Sequence, residues 1–478
     1  MDDRFDIAVI GTGPGGYIAA LKAAQMGAKT AVIEKHFLGG TCLNYGCIPS
    51  KALLASAELM YTINHASAMG VRVNGNAGFD WPAIQQRKNK VLKGLRSGIK
   101  SLFGARNVTL FSGRGVITGK GQITVTAENG VESSINADKT IIAVGSVPAR
   151  IPGWPDDPKR VCTSDESLHW ETLPKRLLIV GGGVIGCEFA CMMREYGVEV
   201  TVVEMLERLM PEMEGALGKQ MQAIFQKRGI KVLVGAKVES LKSVGDGVTA
   251  EVSGAGAMSF DRVLVAVGRR PNTENIGLDT VGINAERGFI TVDDKMRTNI
   301  DGYYCIGDAN GRTLLAHAAS AQAMMAVKDA LGKDAGPLLP IPWAVYTFPE
   351  VAGVGITSEQ AAKRDLPVRI GQFPIGYLGK AMAAGHTEGT VKVIADYNTD
   401  KLLGVHLLGH NATEIIASAA AMMTVGGTAK DLANMVVAHP TIGEAVKEAA
   451  EDVYQSAMHL PPRKMMRKEA DLTKMKSK

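Results

Sequence analysis

The chain has 478 residues, 46% of them hydrophobic and 55 of them glycine, which is enough to bury several cores and to form three or four domains. Its net charge of +5 is matched by residues 463–478 alone, where seven lysines or arginines face only Glu469 and Asp471. Aromatics are 5% and the basic residues gather in a tail after Pro461-Pro462, so the composition speaks against a nucleic-acid binder, and no apolar run is long enough to span a membrane.

The start, Met1-Asp2-Asp3-Arg4-Phe5, runs directly into an apolar strand without a basic-plus-apolar leader. The expected setting is the cytoplasm, or an organelle matrix after loss of a presequence. The strand Ile7-Ala8-Val9-Ile10 leads into Gly11-Thr12-Gly13-Pro14-Gly15-Gly16, a helical stretch to Gly27 and a second strand ending at Glu34. Glycines at such a turn let a pyrophosphate approach the backbone, the helix N-terminus stabilises its charge, and the strand-end acid accepts ribose hydroxyls.

Residues 39–51 follow, Gly39-Gly40-Thr41-Cys42-Leu43-Asn44-Tyr45-Gly46-Cys47-Ile48-Pro49-Ser50-Lys51. Two cysteines five positions apart can close a small disulfide ring, and the flanking glycines let it lie against a flat cofactor. A helix N-terminus and Lys51 favour a thiolate there. In isolation such a pair reads more readily as a structural disulfide or two buried thiols. The other cysteines, Cys162, Cys187, Cys191 and Cys305, sit among apolar neighbours and read as inert core thiols. No metal site is expected, because Cys187 and Cys191 have no further ligand at metal spacing.

Apolar strands at residues 140–144 and 263–267, ending in Gly145-Ser146 and Gly268, close two nucleotide folds. Between them Leu177-Leu178-Ile179-Val180 precedes Gly181-Gly182-Gly183-Val184-Ile185-Gly186, a helix to Gly197 and a strand ending at Glu204. Gly11 and Gly181, like Glu34 and Glu204, stand 170 positions apart. One such motif is weak; two with identical spacing predict two bound dinucleotides. Glu204 would repel a 2′-phosphate, which favours NAD over NADP at the second site, and Arg208 is expected in a surface ion pair.

Tyr304-Cys305-Ile306-Gly307-Asp308 and Leu315-Ala316-His317 form another strand-to-helix passage, in which Asp308 alone would read as a turn or cap. From about Tyr346 the chain alternates strands and helices, and within that part lies His439-Pro440-Thr441-Ile442-Gly443-Glu444. A lone histidine is more often structural. Alongside redox cysteines it supplies a base near neutral pH, with Glu444 to orient the imidazole.

Residues 39–51 resemble the redox-disulfide signature of the flavin-dependent pyridine nucleotide-disulfide oxidoreductases, with Tyr45 where members often carry a smaller residue. The resemblance covers residues 1 to about 460. It implies an α/β fold with two Rossmann-like dinucleotide-binding domains and an α+β C-terminal dimerisation domain. The expected boundaries are an FAD-binding domain at 1–148 completed by a central segment 274–343, an NAD-binding domain at 149–273, an interface domain at 344–460 and a basic tail at 461–478. It implies FAD contacts at Gly11, Gly13, Gly15, Gly16, Glu34, Lys35, Gly40, Thr41, Lys51, Gly115, Gly145, Ser146, Asp308, Leu315, Ala316 and His317. It implies NAD contacts at Gly181, Gly183, Val184, Ile185, Gly186, Glu188, Glu204, Val238 and Gly268. Cys42 and Cys47 would be the redox pair, with Cys47 beside the flavin, Lys51 paired with Glu188, and His439 with Glu444 as the base reaching the partner subunit's disulfide. Gln322-Ala323 replaces the family's usual Glu-Gly.

Within the family the likeness is closest to members that oxidise dihydrolipoamide. No cysteine follows Cys305, which excludes branches with a second C-terminal cysteine pair, and Glu204 speaks against NADP-linked branches. The implied partners are a second copy of the chain and a lipoyl-bearing acyltransferase or glycine-cleavage carrier protein. A non-catalytic scaffold subunit is the competing class, disfavoured by an intact cysteine pair, base and two nucleotide motifs.

Overall fold

A computed structural model describes residues 4–75 and 78–461. The chain opens with β1 (Arg4–Ile10), α1 (Pro14–Gln25) and β2 (Thr30–Glu34). The last four residues of β1 are all buried, as expected for a parallel strand covered on both faces. α1 is uncapped by any side chain and has no acid in its first turn, so its N-terminal N–H groups are free for an anion. The short α2 (Gly40–Tyr45) and the 18-residue α3 (Cys47–Asn64) follow, then the amphipathic α4 (Trp81–Ala105), capped by Asp80 and burying Trp81, Lys88, Leu92, Ile99 and Phe103. The strands β3 (Thr109–Ser112), β4 (Arg114–Gly119), β5 (Gln122–Thr126) and β6 (Glu132–Ile142) complete a sheet ordered β3-β2-β1-β6-β5-β4.

The strand Tyr303–Cys305 returns from far along the chain to pair in parallel with β6, Cys305 opposite Ile142. The helix Ala316–Ala330 packs on α1, where the small residues Ala19, Ala20 and Ala23 permit close approach. This strand and helix thus add to the first sheet's layers, the return that the position of Asp308 after the second nucleotide unit led one to expect.

A second parallel sheet runs Lys231–Val234, Glu199–Glu204, Arg176–Val180, Arg262–Val265, Val161–Cys162, with the helix Val184–Glu195 crossing over it. An antiparallel ribbon of Val238–Val244, Gly247–Val252 and Gly256–Phe260 covers one side. Residues from Trp343 onward form a five-stranded antiparallel sheet with helices against it. α3 lies along the helix Val184–Glu195, and this contact brings the two nucleotide units together at one site. Of the expected basic tail, residues 462–478 lie outside the described residues.

Candidate active site

The two glycine motifs have nearly superimposable local geometry. Gly11 and Gly181 hold φ of +100° and +105°, and a Cβ on either would stand 2.4 Å from the carbonyl oxygen of Ala143 or Ala266. A Cβ on Gly16 or Gly186 would meet the carbonyl oxygen of Gly11 or Gly181 at 1.9 Å, so only glycine lets the helix sit this close to the strand. A Cβ on Gly13 or Gly183 would meet nothing within 4 Å, and both sites are open where a pyrophosphate must enter. The strand-end acids repeat the correspondence. Glu34 accepts from Thr12 N at 3.0 Å and His36 N at 2.9 Å, and Glu204 from Gly182 N at 2.6 Å and Leu206 N at 2.8 Å.

A cavity of about 930 Å³ runs from the first motif to the cysteines. Its walls include Gly11, Gly13, Gly15, Gly16, Glu34, Lys35, Gly40, Thr41, Gly115, Gly145, Ser146, Asp308, Leu315, Ala316 and His317, together with Cys42, Cys47, Lys51 and Glu188. Ser146 Oγ lies 2.5 Å from Asp308 Oδ2, and Arg269 Nε donates to Ser146 Oγ at 2.7 Å, fixing the aspartate at the edge of the sheet. The helix Ala316–Ala330 begins in this wall with no side-chain cap and no acid in its first turn. A cavity with two uncapped helix N-termini, a glycine cradle and two acids at the edge of the first sheet fits an FAD molecule, whose pyrophosphate α1 would hold.

Gln322, fully buried, accepts from Gly307 N at 2.7 Å and Asn310 Nδ2 at 3.0 Å, so the amide holds the turn ahead of Asp308.

Cys42 lies in α2, and Cys47 is the first residue of α3, at a helix N-terminus that favours a thiolate. The two are free thiols in contact, and their environments push them apart. A hydrogen bond from the Cys42 thiol, aided by the charge of Lys51 against the cost of burial, lowers Cys47 to about 7. Cys42, the donor in that bond and itself buried, is raised and stays protonated. Burial pushes the remaining four thiols upward, so Cys47 alone is poised near neutrality.

Lys51 Nζ bonds both oxygens of Glu188 at 2.8 Å, a pair formed between α3 and the helix Val184–Glu195. Burial opposes the Lys51 charge, and Glu188 outweighs it, so its pKa is raised. Tyr346 N donates to Glu188 Oε1 at 3.0 Å, and Lys51 Nζ stands 4.3 Å from the Tyr346 ring centroid. Sequence reasoning missed Tyr346, Arg269 and Thr12 as site residues. Only Arg269 carried a local signal, its place directly after Gly268.

Of the second motif, Val184, Ile185 and Glu188 reach this cavity; Gly181, Gly183, Gly186, Glu204 and Gly268 lie outside its walls, at the C-terminal edge of the second parallel sheet. Val238 is 5% exposed, its side chain within the apolar core beneath the ribbon. Arg208 turns away, donating to the Pro211 carbonyl and lying 3.9 Å from Glu359. His439 Nδ1 lies 2.9 Å from Glu444 Oε1, and the other oxygen of Glu444 accepts from Thr441 N at 2.9 Å. His439 is 77% exposed and is absent from the cavity walls; one chain alone does not bring it to the cysteines.

This combination of fold and site is that of a flavin-linked disulfide reductase. Residues 5–323 match the family model described as pyridine nucleotide-disulphide oxidoreductase, and residues 341–450 match that family's dimerisation domain. The chain belongs to this family, whose reductases work with FAD and NAD. It is 42% identical over 460 residues to the dihydrolipoyl dehydrogenase of Chlorobaculum tepidum, covering 95% of this chain and 98% of that one. It is 40% identical to the dihydrolipoyl dehydrogenase of Chlamydia muridarum, covering 97% and 99%. Among solved structures it resembles LpdA from Mycobacterium tuberculosis, with a TM-score of 0.87 and 28% identity over 94% of this chain and 99% of that one. No helix among the described residues is long and apolar enough to cross a membrane.

Proposed function

We propose that the protein oxidises protein-bound dihydrolipoamide to lipoamide with NAD⁺ as acceptor, the dihydrolipoyl dehydrogenase reaction. The observation that carries this reading is the Cys42–Cys47 pair, split into a protonated thiol and a thiolate with a pKa of about 7, on a wall shared with the Lys51–Glu188 bridge. A pair so poised exchanges with a substrate dithiol at neutral pH.

In the oxidised state the two sulfurs are joined. A dihydrolipoamide thiolate attacks Cys42 Sγ, breaking the Cys42–Cys47 bond and releasing Cys47 as the thiolate that Lys51 stabilises. The second lipoamide thiol loses its proton to the imidazole of the His439–Glu444 pair and closes on its own partner sulfur, expelling Cys42, which takes up a proton. Lipoamide leaves as the disulfide, and the chain holds the electron pair as a dithiol. Bound FAD supplies the two-electron passage from that dithiol to NAD⁺. Glu188, itself buried, keeps Lys51 charged through this change.

The reading includes a homodimer, supported by the dimerisation-domain match and by the exposure of His439 away from its own cysteines, so that the base comes from the second subunit. A lipoyl-bearing acyltransferase or glycine-cleavage carrier is the partner, and the cytoplasm the setting. The test is anaerobic titration of the purified flavoprotein with NADH. A long-wavelength thiolate absorbance after two electrons supports the reading; a protein that binds no flavin, or flavin that bleaches fully without that band, refutes it.

A further inference from the structure

Lys88 is the largest fully buried side chain and pairs with no carboxylate among the described residues. Its three N–H groups are instead spent on neutral acceptors. Nζ bonds Gln85 Oε1 at 2.6 Å and the Leu168 carbonyl at 2.7 Å, and lies 3.2 Å from His169 Nδ1. With Nδ1 accepting from an ammonium, the His169 proton resides on Nε2, and the nearby Asn44 backbone carbonyl favours the charged ring. Asn44 and Tyr45 close α2 and lie between Cys42 and Cys47. The Tyr45 ring meets the His169 ring nearly edge to face, centroids 6.0 Å apart at 71°. The Asn44 side chain is fixed separately, donating to the Gly40 carbonyl at 2.8 Å and accepting from Arg96 Nε at 2.5 Å.

Resting on the proposed function, we infer that Lys88 and His169 are positioning residues for disulfide exchange: they anchor the Asn44-Tyr45 peptide so that the Cys42 thiol stays directed at Cys47. The Cys42–Cys47 hydrogen bond is the chief reason Cys47 is a thiolate near neutrality, so whatever fixes the helical turn between them sets that ionisation. The groups facing His169 are Lys88, Arg96 and Tyr45. Burial, then the charges of Lys88 and Arg96, hold its pKa low against the Asn44 bond, so it remains a neutral link. Burial alone lowers Lys88 to about 8, so it is charged at neutral pH.

The test compares His169→Leu, which loses the Lys88 bond and the polar edge toward Asn44, with His169→Gln, whose amide can still accept from Lys88 and offer an N–H toward the Asn44 carbonyl. The readout is the pH midpoint of the long-wavelength thiolate absorbance in the two-electron-reduced, FAD-loaded protein, with kcat and KM measured alongside. His169→Leu is expected to move the midpoint up by about half to one unit and to lower kcat about fivefold at unchanged KM for NAD⁺, the size of one lost hydrogen bond. His169→Gln restores both. Lys88→Met, a side chain of similar length in the same slot, reproduces the leucine result and serves if His169→Leu loses its flavin. A midpoint unmoved in His169→Leu and Lys88→Met, or moved as far by glutamine as by leucine, overturns the inference. Wild-type protein that fails to oxidise dihydrolipoamide refutes the functional reading instead, and the midpoint comparison still decides this one.

Discussion

Replacing Lys51 with methionine removes the charge that helps lower Cys47 and leaves the Glu188 carboxylate, which raises it. Both changes push the thiol upward from about 7, toward the ordinary thiol range. A shift of about one unit corresponds to about 1.4 kcal/mol of lost thiolate stabilisation, and at pH 7.5 it cuts the thiolate fraction from about three quarters to about one quarter. Glu188 is also stranded, keeping only the N–H of Tyr346. The stability loss should be about 2–3 kcal/mol, below the ~3–5 of a fully buried pair because the Lys51 side chain is 30% exposed. The assay is a pH titration of long-wavelength absorbance in the two-electron-reduced protein, with urea denaturation of the same variant. Lys51→Arg, which keeps the charge, should shift the midpoint less than methionine. A midpoint that stays put or falls in Lys51→Met, or equal shifts in both variants, refutes the assignment of Lys51 as the cation that holds the thiolate.

Cys47→Ser should abolish the long-wavelength band and Cys42→Ser should keep it, because only Cys47 is the thiolate; the reverse pattern would exchange their roles. Steady-state kinetics should favour NADH over NADPH by several kcal/mol in specificity, since the Glu204 carboxylate, 8% exposed, faces any 2′-phosphate, and comparable constants for both would defeat that claim. His439→Ala should spare flavin reduction by NADH but cut lipoamide turnover by about 10²- to 10⁴-fold. Mixing it with Cys42→Ser under subunit exchange should restore part of the activity; demonstrated exchange with no recovery would show that the base does not act across the dimer.

The parts of the fold written as local periodicity were legible in the sequence. The two strand-glycine-helix-acid units appear where their spacing put them, and the return of Tyr303–Cys305 to the first sheet follows from the Asp308 motif lying after the second unit. The site was legible where a residue belongs to a contiguous motif, as with Cys42, Cys47 and Asp308. Arg269 and Tyr346 act through contacts with Ser146 and Glu188, 123 and 158 positions away, and no local pattern encodes such a pairing. Lys88 gave no signal because an α-helix tolerates lysine anywhere on its surface, and only the packing of α4 under Leu168 and His169 buries it. Val238, implied by the resemblance alone, begins a strand whose side chain here lies in the core beneath the ribbon, an orientation that sequence does not settle. His439 lies outside the cavity that holds its own chain's cysteines, and the order of residues in one chain carries no signal of how a second copy would approach.

The most direct test of the account is anaerobic turnover of dihydrolipoamide with NAD⁺ by the purified flavoprotein, following NADH formation and lipoamide disulfide together. The account predicts equimolar formation of both, lost in Cys42→Ser although NADH still reduces the bound flavin of that variant. NADH formation that survives in Cys42→Ser, or wild-type flavoprotein that forms none from dihydrolipoamide, would contradict it.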